Sequence, residues 1–124
     1  MTRVVVNSGV CGMEVIIEVN KVAERKVKIE ITSACKMLTR LGQAVAELDP
    51  FDVLKGVNSE VYQQASSNSL HAACPVPAGI LKAVEVETEM ALPCDAVIHF
   101  EIPPGREIPV IRRKEAKYAR KPKA

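Results

Sequence analysis

Residues 26–32 read Lys26-Val27-Lys28-Ile29-Glu30-Ile31-Thr32, a strict alternation of polar and β-branched apolar side chains. Successive side chains of a β-strand point to opposite faces of a sheet, so this spacing buries one face and leaves the other in water. The stretch therefore predicts a strand of an antiparallel sheet that is covered on one side only.

Three further stretches extend this sheet. Residues 14–19 alternate in the same way, and residues 2–7 are rich in valine. Between these two stretches, Gly9 and Gly12 offer the positive φ that a turn requires. Residues 95–102 alternate again, and this pattern predicts the fourth strand.

The helices follow from apolar residues spaced three and four apart. Between residues 34 and 48 this spacing predicts a helix that Ser33 caps and Asp49-Pro50 ends. Further helical segments are predicted at 52–55, 59–65 and 76–91. Together the elements predict an α+β fold, a two-layer structure with a four-stranded, mostly antiparallel sheet and helices on one face, in the order β-β-β-α-(α)-α-β.

Composition and charge limit the class of protein. The chain has 124 residues, 48% apolar and only 3% aromatic, so we expect residues 1–104 to form one domain with an aliphatic core. No apolar run approaches the roughly 18 residues of a membrane span. The N-terminus also lacks the pattern of a signal peptide. We therefore expect a cytoplasmic protein without membrane contact.

The C-terminal end is strongly basic. Residues 103–124 contain eight Lys or Arg and two acids, a net charge of +6, which leaves −4 on the remaining residues of a chain with net charge +2. This composition predicts a flexible basic tail at 105–124, and segment 106–124 is a candidate site for an acidic partner. Tyr118 alone is too little aromatic content for base stacking, so no specific nucleic-acid site is predicted.

The stretch Cys74-Pro75-Val76-Pro77 places a thiol at the start of the last predicted helix. Proline is well tolerated in a first helical turn, where its missing N–H would have no partner. The unpaired N–H groups and the positive end of the helix dipole favour a thiolate. We therefore expect Cys74 to react with alkylating reagents faster than Cys94, which we assign to packing.

The predicted topology brings three cysteines to one end of the domain. Cys11 follows the first strand, Cys35 follows the third strand, and Cys74 begins the last helix close to His71, whereas Cys94 falls at the opposite end. Three thiolates and an imidazole can form a tetrahedral zinc site, and three or four sulfurs suit an iron–sulfur cluster. We therefore predict a metal or cluster site at Cys11, Cys35 and Cys74, with His71 as a further ligand.

Two resemblances bear on these residues. Residues 70–100, with Cys74-Pro75-Val76-Pro77 and then Lys82-Ala83, resemble the small sulfur-carrier proteins of tRNA thiolation. That resemblance implies a persulfide on Cys74. Most of the chain also resembles a family of small uncharacterised domain proteins with Cys-Gly, Ser-x-Cys and His-x-x-Cys-Pro-Val-Pro motifs. This second resemblance implies a role for Cys11, Cys35 and Cys74 but no activity.

Three functions therefore stay open at the level of the sequence. The first is a thiolate site for zinc or an iron–sulfur cluster, although no two cysteines show the Cys-x-x-Cys spacing of zinc ribbons. The second is sulfur transfer with Cys74 as the catalytic residue. The third is a non-catalytic module for an unknown protein partner in which the cysteines only pack, since cysteine is among the most buried residue types. Whether the protein is an enzyme is left open.

Overall fold

Three long strands form the centre of the fold. The computed structural model describes residues 1–106, and residues 107–124, which hold most of the predicted basic tail, lie outside the described part. The strands are β1 (Thr2–Asn7), β2 (Glu14–Ala23) and β3 (Lys26–Thr32), paired antiparallel in the order β1-β2-β3. The three predicted strands are confirmed, and β2 runs four residues further than expected.

The helical segments pack on one face of this sheet. They are α1 (Lys36–Ala44), a 3-10 segment (Pro50–Asn58), α2 (Glu60–Ser67) and α3 (Val76–Glu87). The strand pairing aligns Val6 with Val15 and Ile17 with Ile31, so the apolar side chains of the strands share one face. That face and the helices enclose a single, wholly aliphatic core, as the composition predicts.

The fourth strand is not the one that the sequence predicts. A two-residue strand, β4 (Glu47–Leu48), pairs with β3, with Leu48 opposite Val27, and completes the sheet order β1-β2-β3-β4. The helix predicted to reach residue 48 therefore ends at Ala44. Pairing with β3 buries Leu48, and the nearby Ala46 carbonyl accepts the Ile29 N–H at 2.9 Å. The α+β class is confirmed.

The predicted strand at 95–102 is wrong for the protomer. These residues form no strand, and their side chains are exposed. The reason is the end of α3, which stops four residues earlier than predicted. The Met90 N–H donates to the Glu85 carbonyl at 2.7 Å while Glu89 takes the left-handed φ of 62°, the geometry of a Schellman cap. This cap turns the chain away from the sheet before it can form another strand.

Close contact at Gly79 fixes α3 against the sheet. A Cβ placed on Gly79 would lie 2.8 Å from Cγ2 of Val6 and 3.2 Å from Cδ1 of Ile17. Only glycine lets the helix approach β1 and β2 this closely. The first half of α3 is thereby held beside the end of β1 where Val6 lies.

The other end of α3 is tied to the sheet by Glu87. Its carboxylate accepts hydrogen bonds from the Thr2 hydroxyl at 2.8 Å and from the Lys21 N–H at 2.9 Å. The N-terminal amino group lies 3.4 Å away. Burial raises the pKa of Glu87, but these donors outweigh burial, and the pKa falls below its ordinary value of 4.5.

Within residues 1–106, none of the helices has both the length and the apolar character to cross a bilayer.

Replacing Gly79 by alanine tests the close contact. Crowding Val6 is expected to cost about 1–3 kcal/mol, and the better helix propensity of alanine returns about 1 kcal/mol. We therefore expect Gly79→Ala to lower the free energy of unfolding in urea by about 1 kcal/mol. In a Val6→Ala background, where the methyl groups are gone, the same change should be neutral or stabilising. Equal effects in both backgrounds would show that the contact does not matter.

Replacing Glu87 by glutamine tests the tie at the other end. Because the pKa of Glu87 is lower folded than unfolded, its stabilisation is present above pH 4.5 and disappears as the pH falls through the folded-state pKa. Glu87→Gln should therefore cost about 1–2 kcal/mol at pH 7 and progressively less towards pH 3. Urea unfolding across this pH range measures the difference. The exposed Glu89→Gln is the control, and a pH-independent cost at Glu87 would contradict the assignment.

Candidate thiol site

Three turns meet at one end of the sheet. The β1–β2 connection, the exit of β3 and the entry of α3 lie together there, because Val6 pairs with Val15, Thr32 pairs with Ile16, and the first turns of α3 pack on Val6. Each of the three turns carries one cysteine. The topology therefore brings Cys11, Cys35 and Cys74 to a common end, which we call the thiol end.

Cys11 lies in a 3-10 turn, Gly9–Cys11, that links β1 to β2. Gly12 follows with a left-handed φ of 69°, and its N–H donates to the Gly9 carbonyl at 2.9 Å. The thiol of Cys11 is exposed, and its one polar contact among the described residues is a weak one, 3.9 Å to the Ser8 carbonyl. Cys11 is thus the most accessible thiol of this end.

Cys35 is the N-cap residue of α1, two residues later than Ser33, which the sequence predicts for that role. The Ser33 hydroxyl instead accepts the Cys35 N–H at 3.1 Å. The Cys35 side chain is half-buried and packs against the core. Although Cys35 is the N-cap residue, its side chain makes no capping hydrogen bond with the first turn of α1.

Cys74 closes a short turn before α3. Its N–H donates to the His71 carbonyl at 3.1 Å, which places the exposed His71 in the same turn. The Cys74 side chain is half-buried against the core, and the Val76 N–H at the start of α3 acts on the sulfur so as to lower its pKa. The predicted position of a thiol at a helix start is therefore confirmed.

The predicted acidity of Cys74 is wrong. Burial raises the pKa of the thiol above its ordinary value of 9.0, and the Val76 N–H, which lowers it, does not compensate. Negative charge on Cys11 and on Cys35 raises the pKa further. Both residues therefore act electrostatically on Cys74, in keeping with the common end of the sheet on which the three turns lie.

The thiol end is not a preformed metal site. Among residues 1–106, no three His, Cys, Asp or Glu side chains are placed to hold a metal ion. One further polar group at this end went unnoticed in the sequence. The Ser8 hydroxyl is buried and lacks a hydrogen-bond partner within the described part of the chain. Nothing in the sequence signals that burial, because serine before glycine is an ordinary turn pattern.

Cys94 differs from its prediction. It follows α3 at the opposite end of the domain, as expected, but its side chain is exposed rather than packed. Its N–H donates to the Leu92 carbonyl at 2.8 Å. Cys94 therefore has neither the burial nor the thiol neighbours of Cys74.

Comparison with known proteins identifies one family. Family of unknown function (DUF6951) matches residues 2–100, which include all four cysteines. No curated protein and no solved structure matches the chain significantly. The predicted membership of a small uncharacterised domain family is confirmed, and the resemblance of residues 70–100 to sulfur carriers stays a prediction.

Alkylation rates test the electrostatics of the thiol end. Because the pKa of Cys74 is raised, we expect the exposed Cys94 to react with iodoacetamide before Cys74 at pH 7 in protein treated with a chelator. Cys11→Ser/Cys35→Ser should lower the pKa of Cys74 towards 9.0, measured as a shift of its alkylation profile to lower pH. Cys94→Ser is the control and should not move the profile. An unchanged profile in the double variant would mean that the sulfurs are not coupled.

Proposed function

The chain belongs to DUF6951, a family of unknown function, and we propose that it binds a thiophilic metal ion or an iron–sulfur cluster at its thiol end. The observation that carries this proposal is the strand and helix arrangement, which brings the turns that hold Cys11, Cys35 and Cys74 to one end of the sheet. Three separate turns each contribute one cysteine to this end, and negative charge on Cys11 and Cys35 raises the pKa of Cys74. Packing alone gives no reason for this, since Cys11 is exposed.

The donor set fits a thiophilic ion. Cys11, Cys35 and Cys74 would supply three thiolates, and His71, in the same turn as Cys74, would supply a neutral imidazole. Zinc accepts this combination in tetrahedral sites, and sulfur ligands also hold iron–sulfur clusters. The buried Ser8 hydroxyl, which lacks a partner in the described residues, supports the idea that this end receives a further group.

Charge gives the physical reason for binding. Burial, and to a smaller extent negative charge on Cys11 and Cys35, raises the pKa of Cys74, so this thiol stays protonated at neutral pH in the protein alone. A divalent cation would shift the equilibrium from thiol to thiolate, because it favours the deprotonated form of each sulfur. Binding would then release protons and weaken as the pH falls. It would also require the three turns to close around the ion, and the Cys11 side chain, which is exposed, has space to move towards it.

Metal titration tests the proposal. Protein prepared anaerobically and freed of metal should bind one Zn²⁺ per chain, and Co²⁺ should give the near-ultraviolet absorption of sulfur-to-metal charge transfer. We expect Cys11→Ser, Cys35→Ser and Cys74→Ser each to weaken binding by more than the roughly 10–100-fold that loss of an outer-shell partner costs. His71→Ala measures the contribution of the imidazole.

The matched control is Cys94→Ser, which removes a thiol at the opposite end and should bind Zn²⁺ like the unmodified protein. Visible absorption of the anaerobic protein before metal removal would assign an iron–sulfur cluster instead of zinc. Binding that survives loss of Cys35 or Cys74, or that requires Cys94, would contradict a site at the thiol end.

Sulfur transfer is the second candidate, and one contact favours it. The Val76 N–H at the start of α3 favours the thiolate form of Cys74, and a backbone donor there would also stabilise a terminal persulfide anion. Intact mass and peptide mapping of the protein separate the two functions. One additional sulfur atom on Cys74, with no bound metal, would favour the carrier.

A further inference from the structure

The segment that follows α3 exposes an unusual amount of apolar surface. We call residues 92–102 the arm. It runs without helix, turn or bend. Val97, Ile98 and Phe100 are 69%, 86% and 80% exposed. Soluble monomers rarely expose contiguous apolar side chains to this extent, and such surfaces usually mark an interaction site.

The arm has the pattern of a strand that is covered on one face. Its side chains divide into two alternating sets, Ala96, Ile98, Phe100 and Ile102 against Asp95, Val97, His99 and Glu101. The first set is wholly apolar, and the second holds every charged or titratable group of the segment 95–102. The pattern thus predicts a strand, yet the protomer provides no partner for it within residues 1–106.

One edge of the sheet is open to such a strand. β1 forms this edge, pairs in regular register with β2, and carries neither proline nor a bulge. Val5 on its outer face is 52% exposed, and Val4 on its core side is only half-buried. Edges of this kind readily pair with another chain. The opposite edge is protected by a two-residue strand, β4, and by the ion pairs of Lys26 and Lys28 with Glu47.

The exit of the arm from the fold directs it outwards. Met90 and Ala91 both donate to the Glu85 carbonyl, at 2.7 and 3.2 Å, so the cap of α3 holds the chain where it leaves. Pro93 follows at once and restricts the next residues. The arm therefore departs near Thr2, where Glu87 is bonded, but does not reverse onto its own β1.

We propose that two copies of this chain form a dimer by arm exchange, in which the arm of each protomer pairs along β1 of the other. Exchange of an identical element is a low-cost route to a symmetric dimer. Eight residues of strand span about 26 Å, enough to follow the six residues of β1, which span about 20 Å. Ile98 and Phe100 then extend the aliphatic core beyond Val4.

Mass and hydrogen exchange of the full chain test the proposal. Light scattering coupled to size exclusion should give the mass of two chains. The amides of residues 95–102 should be protected from hydrogen exchange. Ile98→Asp/Phe100→Asp should halve the mass and remove that protection, along with part of the protection of β1. Because these side chains are largely exposed in the described part of the protomer, the helical circular dichroism signal of the protein should be unchanged.

The matched control is Val97→Asp/His99→Asp, which introduces two acids in the same arm on the opposite face and should stay dimeric. A monomeric unmodified chain would overturn the proposal. If its arm amides were nevertheless protected, the arm would fold onto its own β1. A dimer that persists in Ile98→Asp/Phe100→Asp would place the interface elsewhere. Metal binding at the thiol end is a separate measurement, so failure of one proposal leaves the other intact.

Discussion

The close approach of α3 to the sheet at Gly79 is the contact on which the arrangement of the whole domain depends. A side chain at this position would overlap Val6, so the absence of one allows the helix to lie directly on β1 and β2. The predominantly apolar α3 covers these strands, and the wholly aliphatic core closes beneath it. With no tryptophan and few aromatic residues, the core relies on this closeness for its packing.

The contact at Gly79 also fixes where the two ends of α3 lie on the sheet. The first turn brings Cys74 to the end of the sheet where the β1–β2 turn and the exit of β3 carry Cys11 and Cys35. The last turn is bonded through Glu87 to Thr2 and Lys21, and its cap releases the arm at the opposite end. The helix thus separates a candidate site for a metal ion from a candidate surface for a second copy.

The two ends also differ in the physical force that would drive binding. At the thiol end, burial and negative charge on Cys11 and Cys35 raise the pKa of Cys74, and a bound cation would lower that pKa again. At the arm, exposed isoleucine and phenylalanine side chains favour any partner that removes them from water. The unpaired backbone N–H and C=O groups of the valine-rich edge strand β1 can form hydrogen bonds with such a partner.

The valine-rich stretch 2–7 and the alternation of residues 14–19 and 26–32 determined the sheet by themselves, because a register shift of one residue would expose the buried apolar face to water. The proline-rich start of α3 and the shared end of the three cysteines were likewise readable from the chain. Tertiary structure alone decided the rest. Leu48, which the helical spacing places in a helix, instead pairs with Val27 in the sheet. At Cys74, burial raises the pKa of the thiol more than the start of α3 lowers it. Residues 95–102 have the alternating pattern of a strand, but a strand forms only where the edge of a sheet is available for pairing. The cap of α3 directs these residues away from the sheet edge of their own protomer.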